Sequence, residues 1–305
     1  HFPYPYSIAP LPPTVRHGII PIGVIALLSV GSTLTLISFI VYRLFAWRSH
    51  YRTFIGYNQY VILVLNLLLA DLQQSAAFLV TFHWLRIDAI LAPTSACFAQ
   101  AWLLHSGDVS SAFFVFLIAV HTFYTAVYGR RILYRHFICG IFITWILAYF
   151  LTWVGVVLHG DKYFARAGSW CWVSPAYETE RLVCHYLWMF AVQFGTVVIY
   201  VLTYILLRTK TKMLFKGYES QTREPPNAAT IKALTRIANL MTLYPCIYLI
   251  LTLPLSAARM YELRNHKSVS VQYQCVAGVL LCSCGWVDSL LYTLTRKRLL
   301  RDTMP

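Results

Sequence analysis

The chain has 305 residues, 58% of them hydrophobic and only 12% charged, with 25 basic against 11 acidic side chains and a formal net charge of +14. A soluble domain carries about 25% charged residues, so this composition excludes an ordinary soluble fold and reads as a polytopic membrane protein. The surplus of cations does not mark a nucleic-acid binder, because the basic residues lie between apolar runs and not on one folded face.

Residues 1–17 are rich in proline and aromatics and read as an extracellular segment, either an irregular cap or a mobile tail. Seven apolar runs follow, each of the roughly 20 residues needed to cross a bilayer. They predict helices at about 18–42, 57–84, 97–128, 132–158, 181–207, 231–259 and 271–294. The expected fold is therefore an all-α membrane protein, a seven-transmembrane-helix bundle over 18–294. Residues 295–305 then form a cytoplasmic juxtamembrane helix and tail. There Arg296, Lys297, Arg298 and Arg301 surround Leu299 and Leu300, a pattern that suits a short amphipathic helix on an anionic leaflet.

Orientation follows from the cations. Seventeen Lys and Arg fall in the loops after helices 1, 3, 5 and 7, and eight fall on the opposite side. That bias puts the N-terminus outside and the C-terminus in the cytosol, as an odd number of crossings requires.

Helix 1 carries no acid. Helix 2 carries Asp71, in NLLLADLQQS. Helix 3 carries His105, Asp108 and Ser111 at a spacing of three, which places them on one face. Helix 7 carries Asp288, with Tyr292 one turn later. A carboxylate at membrane depth costs about 2.5–3.5 kcal/mol unless it faces protein or water. Asp71, Ser111, Asp288 and Tyr292 can thus meet near mid-membrane as an ion or polar network. It would hold a sodium ion at Asp71 or a shared proton, or simply fix helix packing through hydrogen bonds. His105 and Asp108, higher on helix 3, are ligand-pocket candidates together with Trp102 and Trp172, or else structural pairs with other helices. Trp170 and Trp172 also suit an interfacial belt. No cofactor and no certain metal site is implied.

Cys97 opens helix 3 and Cys171 lies in the following outer loop, in Trp170-Cys171-Trp172. Both are in an oxidising compartment, where a bridge is permitted; two free thiols are the alternative. Asn227, after Pro225 and Pro226, reads as the N-cap of helix 6. Pro245 and Pro254 lie within helix 6. Each removes a backbone hydrogen bond and bends the helix, giving either a hinge or a static kink.

FIGYNQYVILVLNLLLADLQQS, IAVHTFYTAVYGRR, GSWCWVSP, MTLYPCIYLILTLPLSAARM and GWVDSLLYTLTRKRL together resemble fungal G-protein-coupled receptors of the glucose- and nutrient-sensing type, with looser similarity to cAMP-receptor-like proteins. The sequence departs from rhodopsin-like receptors in having His121-Thr122-Phe123 where those carry Asp/Glu-Arg-Tyr, and Ser289 where their helix 7 motif has proline. The resemblance implies a Cys97–Cys171 disulfide. It also implies a heterotrimeric G protein as partner, with the Gα C-terminus in an inner cleft, and control of cAMP and protein kinase A. Candidates for that cleft are His121, Thr122, Arg130, Arg131, Lys232, Arg236 and Arg296, although the basic loops could merely hold the topology. An extracellular small molecule or peptide as ligand, lipids as neighbours, a plasma-membrane location and an open question of homodimerisation complete the expectation. The reading is a receptor and not an enzyme. A small-solute transporter using Asp71, Asp108 and Asp288 is the alternative. A retinal protein is excluded, because residues 271–295 contain no lysine.

Overall fold

The computed structural model describes residues 1–46, 54–219, 228–265 and 269–301, with the side chains of 210–245, 263 and 295–301 outside the description. Seven long helices form the bundle. α1 is Pro13–Phe45. α2 is Gln59–Leu79 continued by Thr81–Ile87. α3 is Ser95–Tyr128 and α4 is Tyr134–His159. α5 runs through Glu178–Arg181, a wide π turn at Leu182–Tyr186, and Leu187–Glu219. α6 is Ala228–Asn265. α7 is Val271–Cys282 and Cys284–Arg301. Six of these are long and apolar enough to cross a membrane by length and composition alone. α6, half of whose side chains lie outside the description, is the seventh.

In a bilayer every backbone polar group must be satisfied within the chain, which favours helices throughout. Their ends are set locally. The Asn58, Thr94 and Ser270 side chains cap α2, α3 and α7 by accepting from Tyr60, Cys97 and Tyr273 amides. Gly129, at φ 65°, ends α3 in the left-handed conformation that glycine tolerates.

α1 packs on α2 and α7, α2 on α3, α5 on α6, and α6 on α7, so the ring closes. α3 runs through it, touching α2, α4, α5 and α6. α3 comes close to α2 at Gly107, where a Cβ would sit 2.6 Å from the Gln74 backbone nitrogen. α4 lies outside the ring, and its Phe142, Ile143, Ile146, Phe150 and Val157 are exposed, as a lipid-facing helix requires. One apolar core fills the N-terminal half of the bundle around Phe78, Trp84, Leu104 and Trp170, and a second fills the other half around Leu63, Leu67, Phe114, Tyr248 and Tyr292.

One expectation needs correction. The expected separate amphipathic helix is not set apart: α7 continues unbroken from Cys284 to Arg301. Of the two readings of the N-terminal segment, the structure shows the cap. Ile8 pairs with Ile90 as an antiparallel bridge, the Phe2 and Leu11 amides bond Ala92 and Asp88 carbonyls, and Arg16 pairs with Asp88 at 2.6 Å. Arg181 and Arg259, two of the eight cations on the N-terminal side of the bundle, are 7% and 5% exposed. The segment holding Asn227, Pro225 and Pro226 lies outside the described residues.

Candidate functional site

The loop between α4 and α5 folds as a short antiparallel hairpin, β1 (Phe164–Arg166) and β2 (Cys171–Val173). Cys171 is bonded to Cys97 at the start of α3. Gln100, one turn further along α3, accepts from the Cys171 amide and from the Trp84 indole, both at 2.9 Å. The loop is thus drawn down over the bundle, and Trp170 and Trp172 are buried at 2% and 3% exposure. They form a roof and not an interfacial belt.

Beneath that roof lies a cavity lined by Asp108 on α3, His185 and Tyr186 on α5, and Thr252, Ser256 and Arg259 on α6, with Trp170 and Trp172 above. Its free space is about 20 Å³, room for one water. Asp108 Oδ1 accepts from Gln74 at 2.7 Å, and its other oxygen is 3.8 Å from His185 Nε2. His105 stands behind, 4.9 Å from the His185 ring and bonded through Nδ1 to the Thr152 hydroxyl at 3.0 Å. Gln193 donates to Thr252 at 2.9 Å, joining α5 to α6. Arg259 donates to Glu262 at 2.7 Å and to the Ala167 carbonyl at 3.0 Å, tying α6 to the roof. His185 Nδ1, His105 Nε2 and the Trp172 indole nitrogen are buried without a partner, a costly arrangement unless something else supplies the bond.

Of the four residues expected here, Asp108 and Trp172 line the cavity and His105 backs it. Trp102 does not reach it. It stacks on Tyr149 of α4 at 5.7 Å and packs against Trp153, because its position on α3 faces the outlying helix. His185, Gln74 and Arg259 were not singled out from sequence. The π turn that carries His185 inward has no sequence signature, and Gln74 lies 34 positions from its partner.

Below the cavity, Ser111 donates to Asp71 at 2.8 Å, and Asp288 is within side-chain hydrogen-bonding reach of Asp71. The sequence grouping of these three is brought together here. Tyr292 is fully buried in the second core with Tyr60 and Leu67. Among the described residues, no three His, Cys, Asp or Glu side chains converge as a metal-ligating cluster.

At the far end of α3, His121 pairs with Gln59 at 3.0 Å, and Gln59 donates to the Ile132 carbonyl at 2.6 Å. His121 is therefore turned to α2 and not to α5 and α6. Thr122 is buried and faces the Tyr200 phenol of α5. Arg130 and Arg131 are exposed in the loop after α3. Pro254 lies in α6 between Thr252 and Ser256 of the cavity lining. The side chains of Lys232, Arg236, Pro245 and Arg296 lie outside the described residues.

Residues 228–301 match the model of a family described as G protein-coupled glucose receptors regulating Gpa2, in its C-terminal part. No curated protein matches the chain. Among solved structures, the crystal structure of squid rhodopsin superposes with a TM-score of 0.69 at 13% identity, over 95% of this chain and 85% of that one. At that identity the likeness is one of fold. The C-terminal quarter is thus similar to glucose receptors that regulate Gpa2, and the closed seven-helix ring has the fold of rhodopsin, so the chain is a multi-pass membrane protein of that fold.

Proposed function

We propose that this receptor takes a small polar ligand of the sugar class from the extracellular side, in the cavity beneath Trp170 and Trp172. It then activates a Gα subunit of the Gpa2 kind at the plasma membrane, feeding cAMP and protein kinase A. One observation carries the reading: buried polar side chains on α3, α5 and α6 converge on a cavity walled by Trp170, Trp172 and Tyr186. Few, fixed polar groups among aromatic walls are what an orienting small-molecule site needs. A pyranose would lay its C–H face on an indole and offer hydroxyls to Asp108, Thr252 and Ser256.

Such a ligand requires the cavity to widen, and α6 is the wall best placed to yield. Pro254 contributes no backbone donor, and α6 is held to the roof by Arg259. A ligand that prefers the widened form shifts the population toward it. On the cytoplasmic side, the Gα C-terminus would enter between Thr122, Tyr200 and the end of α6, with Arg130 and Arg131 at the rim. Asp71, Ser111 and Asp288 would hold a sodium ion or a shared proton that biases the same equilibrium.

The test is nucleotide exchange on a purified heterotrimer by receptor in nanodiscs, with and without D-glucose. Acceleration by wild type and its loss in D108N support the reading. Exchange that no receptor preparation accelerates, beside solute flux in liposomes, would replace it with a transporter.

A further inference from the structure

We propose that the roof of this cavity is an anion subsite, built on Arg181, Arg259 and Trp172, which takes the carboxylate of a small hydroxylated acid such as a sugar acid. The inference rests on the cavity being the ligand site, and it adds the charge that the ligand carries.

Two guanidinium groups converge on one indole. Arg181 lies 5.1 Å and Arg259 5.8 Å from the Trp172 ring centre. Both arginines are more than nine-tenths buried. Arg259 has an acid partner in Glu262. Arg181 has none within 4 Å among the described residues: its Nε and Nη2 both donate to the Val173 carbonyl. The other acids facing it are Glu178, exposed one turn earlier, and Glu262, already engaged with Arg259, Gln274 and the Val269 amide. A buried cation held by one carbonyl and an aromatic face is undercompensated.

The second observation is independent of charge. The Trp172 indole N–H and His185 Nδ1 are buried, unpartnered, and belong to residues that line the cavity. Their rings stand 5.0 Å apart. An anion at the roof would accept from the indole and from Arg259, while lying in the field of Arg181. Asp108, across the cavity, sets the opposite requirement and takes donors. A ligand with a carboxylate at one end and hydroxyls at the other meets both. A neutral sugar meets only the second.

The experiment measures binding to the full chain in nanodiscs by the rise in unfolding temperature. The probes are D-glucose, D-glucuronate and D-glucosamine at equal pH and ionic strength. Glucuronate is expected to bind about tenfold more tightly than glucose, the scale of one charge-assisted hydrogen bond, and glucosamine more weakly than both. R181Q should weaken the preference without removing it, because Arg259 still donates, while leaving glucose binding in place. R181K, which keeps the charge, should retain most of it and guards against a folding defect in R181Q. W172F, which removes only the N–H and the larger ring, should fall between. Equal binding of the three probes, a preference for glucosamine, no binding of glucuronate, or an unchanged preference in folded R181Q overturns the proposal. G-protein activation plays no part in these readouts, so a failure of coupling and a failure of the subsite are separate results.

Discussion

The Ser111 hydroxyl on α3 donates a 2.8 Å hydrogen bond to Asp71 Oδ1 on α2, both residues buried at the centre of the bundle. The other Asp71 oxygen has no conventional donor, and Asp288 lies within side-chain reach of Asp71. S111A therefore strips Asp71 of its one hydroxyl donor. The expected loss is about 1–3 kcal/mol. In a double-mutant cycle with D71N the coupling should be about 0.5–3 kcal/mol. Thermal unfolding of the four proteins checks it; additive effects would mean that the bond contributes nothing of its own.

The Cys97–Cys171 bridge closes a loop of 74 residues. C171A should cost about 2–5 kcal/mol of stability. It should also release β2, and with it Trp172, from the cavity. Loss of ligand binding at temperatures where the variant is still folded would be the sign, read by a binding isotherm well below its melting point.

Gly107 is where α2 and α3 nearly touch. A methyl there would press on the Gln74 backbone at 2.6 and 2.9 Å, which no side-chain rotation can relieve. G107A should cost about 1–3 kcal/mol and shift Gln74 away from Asp108, weakening the ligand as well. G140A, at a glycine with open space around it, is the control and should change neither.

P254A returns a backbone N–H to the middle of α6. The helix should gain up to about 3 kcal/mol of local stability, and ligand-stimulated nucleotide exchange should fall while ligand binding persists. Unchanged stimulation would show that Pro254 plays no part in the widening of the cavity.

The bundle was legible because a bilayer imposes length and apolarity on each crossing, and the sequence satisfies both seven times. Asp71, Ser111 and Asp288 were legible for the same reason: an acid at that depth must find a partner. Cys97 and Cys171 followed from placement and family resemblance. His185 was not legible, since its inward direction comes from a π turn at Leu182–Tyr186 that shifts the helical register. The burial of Arg181 and Arg259 was not legible, because helix-end cations usually reach water by extending their side chains. Here the hairpin roof and Trp172 cover them. Trp102 misled because being on the same helix as Asp108 says nothing about which neighbour a side chain meets.

The N-terminal segment is joined to the α2–α3 loop and to β1 mainly through peptide groups: Phe2 to Ala92, Ile8 and Ile90 to each other, Leu11 to Asp88, and Tyr6 to the Arg166 amide of β1. A cap latched by main chain is largely indifferent to side-chain identity. Single replacements along this strip should be absorbed quietly, whereas cutting it out removes several latches in one stroke. How often this peptide ribbon lifts is then a quantity written in amide exchange rates and not in the chemistry of any one residue.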